Sequence, residues 1–223
     1  MGQYFEIINV DKRQVICPHN YDNGLKLMEW AYDKNAVVMA MVNLMADAWK
    51  GDRVYVVGDY ADNEDENEIW VSTYNEILTE LHRPGDSKTC FEWEDFAHIM
   101  PDANLQNWQH RTVLTAEDKA DITDYEYRYF YNHATKQVVD LEKCPVVWTY
   151  TDRKTGQEVP VRISPLALLL AMGNGRGGGD YRGPHLELLG SWCATVQNIE
   201  ITQEPIDACA NYEDFCPDFW EDI

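Results

Sequence analysis

The segment YFEIINVDKRQVI at positions 4–16 returns without a gap as YRYFYNHATKQVV at positions 127–139. Tyr4 matches Tyr127, Asn9 matches Asn132, Gln14 matches Gln137 and Val15 matches Val138, while Arg13 and Ile16 are replaced conservatively by Lys136 and Val139. Each stretch ends soon afterwards in Cys-Pro, at Cys17-Pro18 and at Cys144-Pro145. Both read as an aromatic and β-branched strand, a polar turn (NVDK or NHAT) and a second strand, the pattern of a β-hairpin. An apolar run of helical length follows in each half, AVVMAMVNLMADAW at 36–49 and SPLALLLAMG at 164–173. In the second, Ser164 stands as N-cap, Pro165 at the first helical position and Gly173 just past the end. Each half then closes on a strand, RVYVVGDY after Gly51 and WCATVQNIEIT after Gly190.

These elements predict an α+β fold made by internal duplication of a hairpin-helix-strand unit. The first copy spans 1–62 and the second 125–204, with a mostly helical insertion at 63–124 and an acidic, aromatic tail at 205–223, all in one compact domain. Two capping boxes support helices in the insertion, Thr73 with Glu76 before Tyr74, Ile77, Leu78 and Leu81, and Thr89 with Glu92 before Trp93, Phe96 and Ile99. The tail carries Tyr212, Phe215, Phe219 and Trp220, which predicts a segment anchored by its aromatic rings.

Charge narrows the partners. The 18 basic and 39 acidic residues give a net charge of -21, which opposes direct binding to a nucleic acid backbone or an anionic membrane. No stretch approaches the roughly 18 apolar residues that span a bilayer, and the first residues lack a basic segment followed by an apolar one. A cytoplasmic protein with six reduced thiols is therefore expected, since a chain of this length needs no disulfide staples. Six histidines without HExxH or CxxC partners offer no zinc site, and no motif for a cofactor is present.

The most unusual segment is GNGRGGGDYRG at 173–183. Its formal G-x-G-x-x-G has a capped helix before it and Pro184 after it, which excludes a dinucleotide fingerprint, and no Lys-Ser or Lys-Thr pair closes it as a P-loop. Glycine frees the backbone for left-handed conformations, so consecutive N–H groups can converge on an anion with Arg176 or Arg182 as a fork. Asn174, Gly177, Gly178, Gly179, Asp180 and Tyr181 complete that candidate ligand site. The plainer alternative is a helix C-cap at Gly173 running into a flexible connector. His19, in the exit from the first hairpin, and Asp59, at the end of the first closing strand, are candidates to line the same cleft. His19 with Asp22 could serve acid-base chemistry, although PHNYDNG also reads as an ordinary turn.

The opening MGQYFEIINVDKR, PHNYDNGLKLMEW, the VGDYAD strand end, the YFYNHATKQVV hairpin and the GNGRGGGDYRG loop together resemble a family found in bacteria and their phages. The resemblance covers residues 1–62 and 125–200. No activity is established for that family, so it implies a phage or bacterial cytosolic setting and transfers no catalytic residue.

The function expected from these features is non-catalytic: a binding protein holding a small, polar, nucleotide-type and phosphate-bearing ligand at the glycine-rich loop and the cleft between the halves, and, in a phage setting, sequestering a host signal or blocking host defence through a host protein. An enzyme acting on a nucleotide or sugar-phosphate, with His19, Asp180 or Asp59 as base, is the first alternative. An acidic inhibitor that mimics nucleic acid is the second.

Overall fold

A computed structural model describes residues 2–12, 14–58, 112–114, 127–215 and 218–219, with 112–114 as backbone alone. The fold is mixed α+β, with small sheets and short helices. Strand β1 (Phe5–Asn9) turns into β2 (Gln14–Ile16), and α1 (Leu27–Trp30) and α2 (Ala36–Ala46) lead to β3 (Val54–Gly58). β3 pairs antiparallel with the free side of β1, and β4 (Thr112–Leu114) lies parallel to β2. The apolar run that starts at Ala36 forms a helix because Asn35 caps it, its side chain accepting a hydrogen bond from Val37 N at 2.9 Å.

The second half builds the same order from its own strands. β5 (Tyr129–Asn132) turns into β6 (Gln137–Asp140). A protruding hairpin follows, β7 (Trp148–Thr151) with β8 (Glu158–Val161), in which every β7 residue is exposed. Helix α3 (Pro165–Leu169) comes next, then β9 (Ala171–Met172), β10 (Ile199–Thr202) and β11 (Glu213–Asp214). The first sheet is ordered β4-β2-β1-β3-β9 and the second β10-β5-β6-β11. Register coincides as well as order. Asn9 faces Gln14 and Val54, and Asn132 faces Gln137 and Ile199. Gln14 lies opposite Thr112 on its parallel neighbour, and Gln137 opposite Glu213. In each sheet the glutamine side-chain oxygen accepts from a buried indole N–H, Trp49 for Gln14 and Trp192 for Gln137. Each asparagine ties its own turn, Asn9 Oδ1 accepting from Lys12 N and Asn132 Oδ1 from Thr135 N three residues on.

One apolar core joins the halves. Phe5, Ile7, Trp30, Met41 and the Leu166–Leu170 run pack with Phe130, Val139 and Ile201. The aromatic tail joins it through Phe219, which is buried, and Phe215, whose ring stacks on Trp192 at 6.1 Å. No helix among the described residues is long and apolar enough to cross a membrane.

Three local expectations change. The second helix stops at Leu169 and not at 172, because Leu170 leaves it to accept from Val56 N at 2.9 Å and starts a parallel pair with β3. A carbonyl recruited by a neighbouring strand cannot complete the next helical turn. The closing strand of the second half is confined to Ile199–Thr202, since Cys193–Asn198 forms a 3₁₀ helix. Cys17 is disulfide-bonded, which replaces the expectation of six reduced thiols; Cys144, Cys193 and Cys209 are free of disulfides. Within the predicted insertion only strand β4 is described, and the helices expected around Thr73–Leu81 and Thr89–Ile99 lie outside the described residues.

Candidate functional site

The glycine-rich loop begins where β9 ends, beside the end of β3 and the residues that precede β1. Gly173, Gly175 and Gly179 adopt φ of 88°, 99° and 85°, the left-handed region that other residues enter only with strain. These turns do aim successive N–H groups at one point. The group that sits there belongs to the loop itself: Asp180 Oδ2 accepts from Gly175 N at 2.8 Å, Arg176 N at 2.9 Å and Gly177 N at 2.9 Å. Asn174 ties the ends of the loop as a second strand would, its Oδ1 accepting from Tyr181 N at 2.8 Å and its Nδ2 donating to Tyr181 O at 2.9 Å. Arg182 Nη2 donates to Gly177 O at 3.1 Å. Tyr181 is buried edge-on against Phe219, 5.5 Å between ring centres, and its hydroxyl bonds the carbonyls of Pro184 and Phe219.

The loop is seated on the N-terminal residues. Gly178 forms a parallel bridge with Gly2, and Met28 N donates to Gly179 O at 2.9 Å. A Cβ on Gly177 would stand 2.3 Å from Gln3 N and 2.4 Å from Gln3 Cβ, so only glycine permits this approach. Gln3 is wholly buried between Gly177 and Gly58, yet among the described residues neither its side-chain nitrogen nor its oxygen has a hydrogen-bond partner. Oδ1 of Asp180, on a residue 5% exposed, has none either. Buried polar atoms are nearly always paired, and each unpaired one costs about 1–3 kcal/mol. The loop and the residue it is seated on therefore hold one donor group and two acceptor oxygens that are buried without partners among the described residues.

Of the residues singled out from sequence, Asn174, Arg176, Gly177, Gly178, Gly179, Asp180, Tyr181 and Arg182 share this loop. Arg176 and Arg182 are exposed, and Gly177 and Asp180 are buried. His19 is exposed on a 3₁₀ helix at Pro18–Tyr21. The groups that touch the loop from that part of the chain are instead Lys26, beside Gly2 and Gly179, and Met28. Asp59 lies outside the described residues.

A second constellation carries chemistry that the sequence did not suggest. Tyr129, Tyr131 and His133 alternate along and just beyond β5, so they share one face, and the Tyr131 and His133 rings stack with centres 6.2 Å apart. His133 Nε2 lies 2.9 Å from Glu200 Oε2, and Lys50 Nζ donates to Glu200 Oε1 at 2.7 Å. On the other side of the ring, His133 Nδ1 lies 3.0 Å from the Tyr212 hydroxyl and 4.0 Å from Cys209 Sγ. Lys50 and then His133 hold the Glu200 carboxyl below the usual carboxylate range, while burial and the neighbouring Cys209 push the Tyr212 phenol up. Only the i, i+2 alternation of Tyr129, Tyr131 and His133 was visible beforehand, because Lys50, Glu200 and Cys209 arrive from distant segments. Among the described residues no group of three His, Cys, Asp or Glu side chains is arranged to hold a metal ion.

Comparisons with protein-family models, with curated proteins and with solved structures find no match to this chain.

Proposed function

We propose that this is a non-catalytic binding protein that holds a small polar ligand beneath the glycine-rich loop. The observation that carries the reading is the buried Gln3 amide, with neither atom partnered, next to a loop whose Asp180 Oδ1 is also unpartnered. An amide supplies donors and an acceptor side by side, and a carboxylate oxygen supplies an acceptor. The complementary ligand carries its own donors and acceptor on one edge, as a nucleobase or a primary amide does. A phosphate fits less well, because the N–H groups that would receive it already bond Asp180.

Two sheets of matching order and register, with matching Asn, Gln and Trp bonds, support reading the chain as two copies of one unit. The loop then belongs to the second copy and reaches across to the first through Gly2 and Gln3. With the resemblance to proteins of bacteria and their phages, the role we attach to the site is sequestration of a base-containing host metabolite.

Native mass spectrometry of gently purified protein tests this. A native mass exceeding the denatured mass by a discrete small molecule, lost in Gln3→Leu while the circular dichroism spectrum is kept, is the expected result. A clean unliganded mass for the wild-type protein overturns the reading and points to a protein partner.

A further inference from the structure

We propose that Cys209 is a peroxide-reactive nucleophilic thiol, served by His133 and oriented through Glu200, at a site that shares no residue with the glycine-rich loop. The parts form a nucleophile, base and orienting group in the order that thiol chemistry requires. Glu200 is an acceptor at Nε2 of His133, 2.9 Å away, and Lys50 fixes that carboxylate from its other oxygen at 2.7 Å. The proton of the neutral ring therefore sits on Nε2, and Nδ1 is the acceptor that faces both the Tyr212 hydroxyl at 3.0 Å and Cys209 Sγ at 4.0 Å, so the thiol takes the lone pair when the hydroxyl yields it. A separation of this size is usual for a resting pair that tightens during reaction.

The first sheet shows that the fold does not itself ask for these residues. Its strand order and register coincide with those of the second sheet, and there the position of His133 is taken by Val10 and that of Glu200 by Tyr55. A His–Glu pair has been set on a backbone that elsewhere carries a valine and a tyrosine at the same places.

Accessibility selects the class of electrophile. Cys209 is 6% exposed, and the Tyr212 hydroxyl lies against the same Nδ1 at 3.0 Å. Only a small reactant reaches the sulfur, and one whose leaving atom needs a proton makes use of the imidazole. A peroxide meets both demands. The thiol proton passes to Nδ1, and a sulfur lone pair forms an S–O bond to the nearer peroxide oxygen. The O–O bond breaks with its electron pair on the farther oxygen, which takes the proton from Nδ1 and leaves as water or an alcohol. Sulfur is oxidised to the sulfenic acid and the peroxide is reduced.

The other free, buried thiols are internal controls. Cys144 and Cys193 direct their sulfurs at the backbone carbonyls of Asp140 and Leu169, and burial pushes the Cys193 thiol well up. The test exposes the full-length protein to hydrogen peroxide, traps sulfenic acid with dimedone and follows each cysteine peptide by mass spectrometry. Cys209 is expected to label roughly a hundredfold faster than Cys144 and Cys193, the range of acceleration a positioned base provides. His133→Gln should remove most of that advantage with the circular dichroism spectrum unchanged, and Tyr212→Phe should raise the rate by opening the approach. Equal labelling of the three thiols in the wild-type protein overturns the proposal without any variant having to fold. Selective labelling that His133→Gln leaves untouched overturns the relay.

Discussion

Replacing Asp180 tests whether the glycine-rich loop is organised by acceptor geometry. In Asp180→Ala the shared acceptor of three N–H bonds, at 2.8, 2.9 and 2.9 Å, disappears. Gly175 and Arg176 are exposed, so water replaces the carboxylate there and each bond costs its net value of about 0.5–1.5 kcal/mol. Gly177 is buried, and its orphaned N–H costs about 1–3 kcal/mol. The loss is about 4 kcal/mol, with additivity good to a factor of about two. Asp180→Asn behaves differently. Its amide oxygen takes the place of Oδ2 and keeps all three bonds, and its NH₂ occupies the place of Oδ1, which has no partner to lose. Only the gain from a charged acceptor goes, about 1 kcal/mol. Urea unfolding with a common slope gives both differences, and thermal midpoints should fall by roughly 2–4 °C per kcal/mol. An asparagine variant as unstable as the alanine variant would refute the geometric argument in favour of charge. An alanine variant within about 1 kcal/mol of wild type would show that the three bonds do not hold the loop.

Gly177→Ala should cost about 1–3 kcal/mol, because its Cβ meets the backbone and Cβ of Gln3 at 2.3–2.8 Å, whereas Gly175→Ala meets no atom within 4 Å and suffers only the strain of φ 99°, about 1–2 kcal/mol. Native mass spectrometry on these two variants should show ligand lost from the first and kept in the second. Asp140 gives a pH test: burial works to raise its pKa, but Arg128, bonding both carboxylate oxygens at 2.7 and 2.8 Å, outweighs it and holds the group below its ordinary 3.8. A depressed folded pKa stabilises above the unfolded value and is lost as pH falls through the folded one. Asp140→Asn should therefore be less stable than wild type by about 1–3 kcal/mol near neutrality, with the gap narrowing as the pH falls below 3.8 in urea titrations; a gap that widens as the pH falls would contradict this. Trp192→Phe and Trp49→Phe each strip the donor from a glutamine in equivalent register and should cost a similar 1–3 kcal/mol, about 2 apiece, by chemical unfolding. Very unequal losses would argue that the two sheets use the bond differently.

Local chemistry fixed much of this architecture in advance. Strand alternation and polar turns marked both hairpins, which form at Phe5–Ile16 and Tyr129–Asp140, and Ser164 with Pro165 marked the start of α3, where Ser164 Oγ accepts from Ala167 N at 3.2 Å. These signals depend on residues two to four apart, and a linear chain displays them directly. The two-residue strands β9 and β11 carry no period to read. They exist because β3 and β6 offer open edges, and a parallel edge is supplied by whatever distant segment tertiary packing delivers. The glycine loop was legible as a nest of N–H groups, but not that its anion would be Asp180, since the choice between a bound ligand and the loop's own carboxylate is decided by where the chain turns after Gly179. The orphaned Gln3 amide and the Cys209–His133–Glu200–Lys50 relay were invisible in sequence, because each joins side chains many residues apart whose meeting is fixed only when one core closes over both halves.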